Sequence, residues 1–273
     1  ADPTDQASAG FGRSVAGAGD VNGDGFADVV VGAPYWSGAA GNEGRAYLYL
    51  GSASGLALAA AWTADPTDQA SAGFGRSVAG AGDVNGDGFA DVVVDAHFWD
   101  GAATENEGRA YLYLGSASGL AAAAAWTADP TDQTYALFGY SVAGAGDVNG
   151  DGFADVIVSA ALWDGAASDE GRAYLYLGSA SGLALAPSWT ADPTDQAYAY
   201  FGNTIAGAGD VNGDGFADVV VGAAGWDGAA GDEGRAYLYL GSASGLALAP
   251  AWTAAPTDQA SAYFGISVAG AGD

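Results

Sequence analysis

The chain of 273 residues contains no cysteine, no methionine and no lysine, and a single histidine, His97. Without cysteine, disulfides and zinc–thiolate sites are excluded, and the redox compartment cannot be read. With six arginines as the only permanent cations against 33 carboxylates, the formal charge is −27. Such a surface repels nucleic acid and anionic membrane and attracts cations. One histidine with neither cysteine nor lysine leaves almost no nucleophile–base–orienter set, so the chain is read as a non-enzyme, with His97 a packing or exposed residue. No apolar run approaches the length of a membrane span, so no membrane insertion is expected. Helical periodicity longer than a turn is also missing.

What is present is repetition. Asp-Val-Asn-Gly-Asp-Gly-Phe-Ala-Asp occurs four times, beginning at Asp20, Asp83, Asp147 and Asp210, a step of 63 or 64 residues. Phe-Gly keeps the same step at Phe11, Phe74, Phe138, Phe201 and Phe264, and Gly-Arg-Ala-Tyr-Leu-Tyr-Leu begins at Gly44, Gly108, Gly171 and Gly234. A fixed period of this size marks an array. The units run 1–63, 64–127, 128–190 and 191–253, with a partial fifth over 254–273. The chain starts mid-pattern and stops at a lone Asp273, which suggests a piece of a longer propeller; no signal or anchor stands in it, and Asp273 is assigned no metal.

Each nonapeptide offers side-chain oxygen at positions 1, 3, 5 and 9, with glycines at 4 and 6 that let the backbone curl around a hard cation. Three carboxylates on one tight turn repel one another unless a cation neutralises them. An EF-hand opens with the same letters but needs an acidic residue at position 12 and a following helix; position 12 here is Val31, Val94, Val158 or Val221, and a β-branched run follows. An Asx-rich hairpin turn without metal is the remaining alternative.

Short runs bounded by glycine predict four strands per unit. In the first unit these are Ser14–Ala18, Asp28–Val31, Arg45–Leu50 and a weaker one from Leu56 to Thr63. Side chains grow along this order, from Gly, Ala and Val to Tyr and Trp. Blades that converge on an axis need that gradient, so the fold class is all-β, a β-propeller of four-stranded antiparallel blades, four complete and a partial fifth.

Phe-Gly, the Asp-rich loop and Val-Val-Val-Gly-Ala-Pro (Val29 to Pro34) together resemble the FG-GAP repeat of integrin α-subunit propellers and many secreted bacterial proteins. Only the first unit keeps Gly-Ala-Pro; the others read Asp95-Ala96-His97, Ser159-Ala160-Ala161 and Gly222-Ala223-Ala224. The resemblance implies one Ca²⁺ per complete repeat, held by side chains 1, 3, 5 and 9 and the carbonyl of position 7. These are Asp20, Asn22, Asp24, Asp28 and Phe26; Asp83, Asn85, Asp87, Asp91 and Phe89; Asp147, Asn149, Asp151, Asp155 and Phe153; and Asp210, Asn212, Asp214, Asp218 and Phe216. Affinity in the extracellular range of roughly 10⁻⁴–10⁻³ M is expected for such loops.

The metal loops are identical, whereas two segments vary between units, one around Phe-Gly and one after Val-Val-Val. In an up-and-down blade both lie at the end opposite the metal loops, the face that integrin-like propellers are implied to use for partners. The candidate ligand face therefore comprises Trp36, Trp99, Tyr135, Trp163, Tyr198, Tyr200 and Trp226, with Tyr263 in the partial unit. For the regularly placed tryptophans a wedge between blades competes with a ligand role. Repeated Glu-Gly-Arg at Glu43, Glu107, Glu170 and Glu233 reads as a turn with an internal ion pair. The expected function is a calcium-stabilised extracellular or cell-surface module that binds a protein or glycan, with self-association to complete a ring as a further possibility. A lectin-like propeller and a non-catalytic domain of a secreted hydrolase are the alternatives.

Overall fold

A computed structural model describes residues 6–66, 69–102, 104–130, 133–193, 196–256 and 259–271. It contains sixteen strands in four sheets and, among the described residues, no helix long and apolar enough to cross a membrane. The first sheet is β1 (Ser14–Gly19), β2 (Asp28–Ala33), β3 (Arg45–Tyr49) and β4 (Trp62–Ala64). The second is β5 (Val78–Gly82), β6 (Asp91–Ala96), β7 (Arg109–Tyr113) and β8 (Trp126–Ala128). The third is β9 (Phe138–Gly146), β10 (Asp155–Ala160), β11 (Arg172–Tyr176) and β12 (Trp189–Ala191), and the fourth β13 (Phe201–Gly209), β14 (Asp218–Ala223), β15 (Arg235–Tyr239) and β16 (Trp252–Ala254). Within each sheet the strands pair antiparallel in chain order, the topology of a propeller blade.

The inner strands β1, β5, β9 and β13 contact one another in succession. Their small side chains follow from that approach: a Cβ on Gly80, Gly144 or Gly207 would lie 2.6–2.7 Å from the carbonyl oxygen of Gly17, Gly80 or Gly144 in the preceding blade. Second strands are the unbroken β-branched runs, and β6 and β10 are buried along their whole length, as two-sided packing requires. Phe-Gly plugs the blade: Phe74 meets Tyr111 and Tyr113 edge-on at 5.4 and 6.4 Å, and the other units repeat the arrangement.

Fourth strands are shorter than the sequence suggests. Only Trp62–Ala64 and its equivalents pair, while Leu56–Ala61 is a loop tied to β3 by Ala57 N–H to Leu50 O and Ala61 N–H to Leu48 O. The outer edge tapers because the blade ends there, and a tryptophan supplies by packing what a longer ladder would have supplied. Trp62 leaves its own blade, stacks edge-on against Tyr113 of the next at 4.8 Å and donates its indole N–H to Ala121 O at 2.9 Å. Trp126 and Trp189 do the same to Ala184 and Ala247. The blades are thus joined by indoles at the rim and by glycine contacts at the axis.

Candidate metal loops and ligand face

All four nonapeptides form the same turn between first and second strands. Gly23 and Gly25 take φ of 71° and 90°, a left-handed pair that only glycine adopts without strain. The turn folds its own acidic side chains inward: Asp20 Oδ1 and Oδ2 accept Asp24 N–H and Gly25 N–H at 3.1 and 2.8 Å, and Asp24 Oδ1 accepts Phe26 N–H at 3.0 Å. Asn22 Oδ1 also accepts Asp24 N–H, at 3.1 Å. Position 9 does different work. Asp28 is buried, accepts Val21 N–H at 2.9 Å across the mouth of its loop and Gly51 N–H at 2.8 Å from the connection after β3. Asp91, Asp155 and Asp218 repeat both bonds.

Among the described residues no three carboxylates converge into a ready-made coordination cage; their oxygens are turned onto loop amides instead. The donor chemistry nevertheless fits a hard cation. Burial pushes the Asp91 and Asp155 carboxyls up to about 6, and repulsion from Asp87 and Asp83, or from Asp151 and Asp147, adds to it. A buried carboxyl raised in this way by its neighbours' like charge is the electrostatic setting that a divalent ion relieves.

One role of the loop escaped the sequence reading. Position 7, expected to offer only its carbonyl, also packs, because its ring rests on the position-4 glycine of the preceding loop. A Cβ on Gly23, Gly86 or Gly150 would lie 2.7 Å from Cε1 of Phe89, Phe153 or Phe216. The main chain makes the same step, with Ala90 N–H donating to Asp20 O, Ala154 N–H to Asp83 O and Ala217 N–H to Asp147 O, all at 3.0 Å. The signal was the identity of Phe in all four copies, since a carbonyl donor alone would leave the side chain free to vary.

The two variable segments meet at the other end of the blades. Tyr35 N–H donates to Ala9 O, Leu162 N–H to Ala136 O and Gly225 N–H to Ala199 O. Trp36, Trp99, Trp163 and Trp226 lie here, each under the guanidinium of its own third strand. Arg45, Arg109, Arg172 and Arg235 sit 3.4–3.5 Å from the ring centres, a close cation–π stack. Three of these arginines also pair with a carboxylate twenty residues on, Arg45 with Asp65, Arg109 with Asp129 and Arg172 with Asp192. The ion pair read into Glu-Gly-Arg is therefore placed differently: Glu43 is buried and its Oε2 accepts Ala40 N–H at 2.9 Å, because a fixed glutamate closes the turn that holds the tryptophan. In the fourth unit Ala255 stands where the aspartate would be, and Arg235 Nε is buried without a hydrogen-bond partner.

The tyrosines behave otherwise. Tyr135, Tyr198 and Tyr263 are exposed, and Tyr200 is half-buried. Tyr135, Tyr198, Tyr200 and Tyr263 have φ between 51° and 64°, where a bulky side chain is strained. Equivalent positions in other units carry Ser8, Ser71, Gly10 and Gly73 in the same left-handed conformation. Tyr135 Oη donates to Glu105 Oε2 at 2.7 Å, which raises the phenol's pKa. Tyr200, Tyr140, Leu162 and Asn203 line a cleft of about 300 Å³ between the third and fourth blades. His97 is fully buried, its Nδ1 2.5 Å from Asp95 Oδ2, packed beside Phe98 and Tyr140. It is a packing residue of the second blade.

The FG-GAP repeat matches residues 11–49, 74–113, 138–176 and 201–239, more than half of the chain. The chain belongs to the FG-GAP repeat family. Within it, this FG-GAP chain is similar to integrin alpha chains. Integrin alpha-IIb of Homo sapiens is 33% identical over 223 residues, 79% of this chain and 20% of the relative. Integrin alpha-4 of Xenopus laevis is 34% identical over 158 residues, 57% of this chain and 15% of the relative, and integrin alpha-10 of Homo sapiens 38% over 146 residues, 52% and 12%. The FG-GAP chain thus spans a fifth or less of the curated relatives it matches.

Proposed function

We propose that this FG-GAP chain is an extracellular, calcium-stabilised adhesion module that binds a protein ligand on the face formed by the 2–3 and 4–1 connections. In each complete unit Ca²⁺ would be held by the side chains at positions 1, 3, 5 and 9 and the carbonyl at 7, from Asp20, Asn22, Asp24, Asp28 and Phe26 in the first blade to Asp210, Asn212, Asp214, Asp218 and Phe216 in the fourth. Bound there, the ion neutralises clustered carboxylates and fixes the turn between first and second strands.

The observation that carries the ligand face is the backbone strain at Tyr135, Tyr198 and Tyr200. Strained aromatics, two of them exposed and one half-buried, at positions where other units carry serine or glycine support a role outside folding. The loop tryptophans Trp36, Trp99, Trp163 and Trp226, each capped by an arginine, act as the floor of that face. A glycan is the second reading, favoured by the Tyr140–Tyr200–Asn203 cleft, which combines ring faces with an amide. Probing an array of extracellular proteins and glycans with the wild type and with a Tyr135→Ser/Tyr198→Ser/Tyr200→Gly variant tests both. Binding that the triple variant loses without any fall in its melting temperature supports the face, and the class of the spot that the wild type binds separates protein from sugar. Equal binding by both forms overturns it.

A further inference from the structure

Of the four arginines stacked on loop tryptophans, three share one pattern of bonds. Arg45, Arg109 and Arg172 donate Nε–H to Oδ2 of Asp65, Asp129 and Asp192 at 2.9–3.0 Å, and Nη2 donates to the same oxygen. Each of these aspartates stands just after the fourth strand, in an Ala-Asp-Pro triplet, where the fourth unit reads Ala254-Ala255-Pro256. Arg235 is otherwise held as its counterparts are. It lies 3.5 Å from the centre of the Trp226 ring, Ala230 N–H is bonded to Glu233 in the turn before it, and β15 pairs with β16 in the register of the other blades. The segment that follows is also seated as elsewhere, with Tyr263 N–H on Asp232 O and Phe264 N–H on Glu233 O, as Gly73 sits on Asn42 and Phe74 on Glu43. One carboxylate is thus missing from a cradle that persists around it, and Arg235 Nε is buried with no partner among the described residues.

We propose that Arg235 and Trp226 form a binding site for a carboxylate that comes from outside the chain. The three filled copies specify the ligand: one oxygen placed between Nε and Nη2, where Oδ2 of the aspartate stands in the other blades. A guanidinium laid flat on a ring turns its N–H edge outward, and that fork matches a carboxylate, not a cation. Burying Nε without an acceptor costs free energy that an arriving oxygen recovers. Access follows from the filled copies too. With the following blade in place, the paired arginines stay 26–28% exposed and the aspartates 32–34%, so the place of the carboxylate opens to solvent. The site uses neither the aspartate-rich turns nor the strained tyrosines, so it goes beyond the proposed function and does not depend on it.

Spectra that resolve the ¹H–¹⁵N correlation of each arginine Nε–H test this, with sodium acetate and the peptide N-acetyl-Gly-Asp-Gly-amide as probes and sodium chloride as the ionic-strength control. One charge-assisted pair gives a midpoint on the order of 10 mM. Arg235 Nε–H is expected to move toward the position of Arg45, Arg109 and Arg172 as either probe is added, while those three stay still. Ala255→Asp restores the triplet that the other units fold with; it is expected to bring Arg235 to that position with no probe present and to abolish the response. A response to acetate, with or without the peptide, assigns the site to small organic acids. A response to the peptide alone assigns it to an acidic side chain of a polypeptide. No movement of Arg235 with either probe, equal movement of all four arginines, or a response that survives Ala255→Asp overturns the proposal. Partner binding lost or kept in the triple tyrosine variant leaves this result unchanged.

Discussion

At the scale of single residues, the near-identity of the units turns each departure into a natural mutation. Arg235 keeps its stack on Trp226 but has Ala255 in place of a partner carboxylate. Ala255→Asp is expected to stabilise the protein by roughly 0.5–1 kcal/mol, the worth of a half-exposed ion pair that also satisfies a buried donor, read by denaturant titration. Tyr200→Gly removes a strained left-handed tyrosine and is expected to add about 1 kcal/mol, read the same way. Loss of stability there would mean the ring contributes more to packing than its backbone costs. The sequence disclosed these positions by contrast between units, since Ala255 and Tyr200 break a pattern visible by eye. It did not disclose that Arg45 pairs with Asp65, because a contact across twenty residues depends on the β3–β4 register and not on the Glu-Gly-Arg triplet it interrupts.

At the scale of the strand and the turn, legibility followed periodicity. Unbroken Val runs identified the second strands and small residues the inner ones, because each reflects local crowding. The fourth strands were over-read by several residues, since Leu56–Ala61 is apolar enough for a strand yet is held to β3 by isolated bonds. Rim tryptophans carry that edge. Trp126→Ala is expected to cost about 3–5 kcal/mol, whereas Trp252→Ala, at a half-exposed copy of the same position, is expected to cost under about 1 kcal/mol in the monomer, both by chemical denaturation.

The aspartate-rich turns give a pH prediction. The folded-state pKa of Asp91 and Asp155, about 6, lies above the ordinary 3.8, so the protonated carboxyls favour the fold. That contribution is complete below pH 3.8 and is lost as pH rises through 6. In chelator the melting temperature is expected to fall between pH 4.5 and 7, and the increment from millimolar Ca²⁺ to widen over the same interval. An increment independent of pH, or none, would remove the cation from the account of these turns.

At the scale of the whole molecule, the fold class was legible because a period near sixty, four strands per unit and a size gradient all point to blades around an axis. Contacts between blades were not, since nothing in a single unit says which of its residues face a neighbour; Trp62 crossing to Ala121 and Phe89 resting on Gly23 depend on how successive blades pack. That last contact reaches further than packing. Each turn is the seat of the following one, so on the proposed reading an ion that orders one turn would ready the next, and the four would act in series. A calcium titration of the intact chain is then expected to be steeper than four separate sites of equal strength allow, and a charge-neutral substitution in the second turn to flatten it while leaving the outermost turns their full complement of ligands.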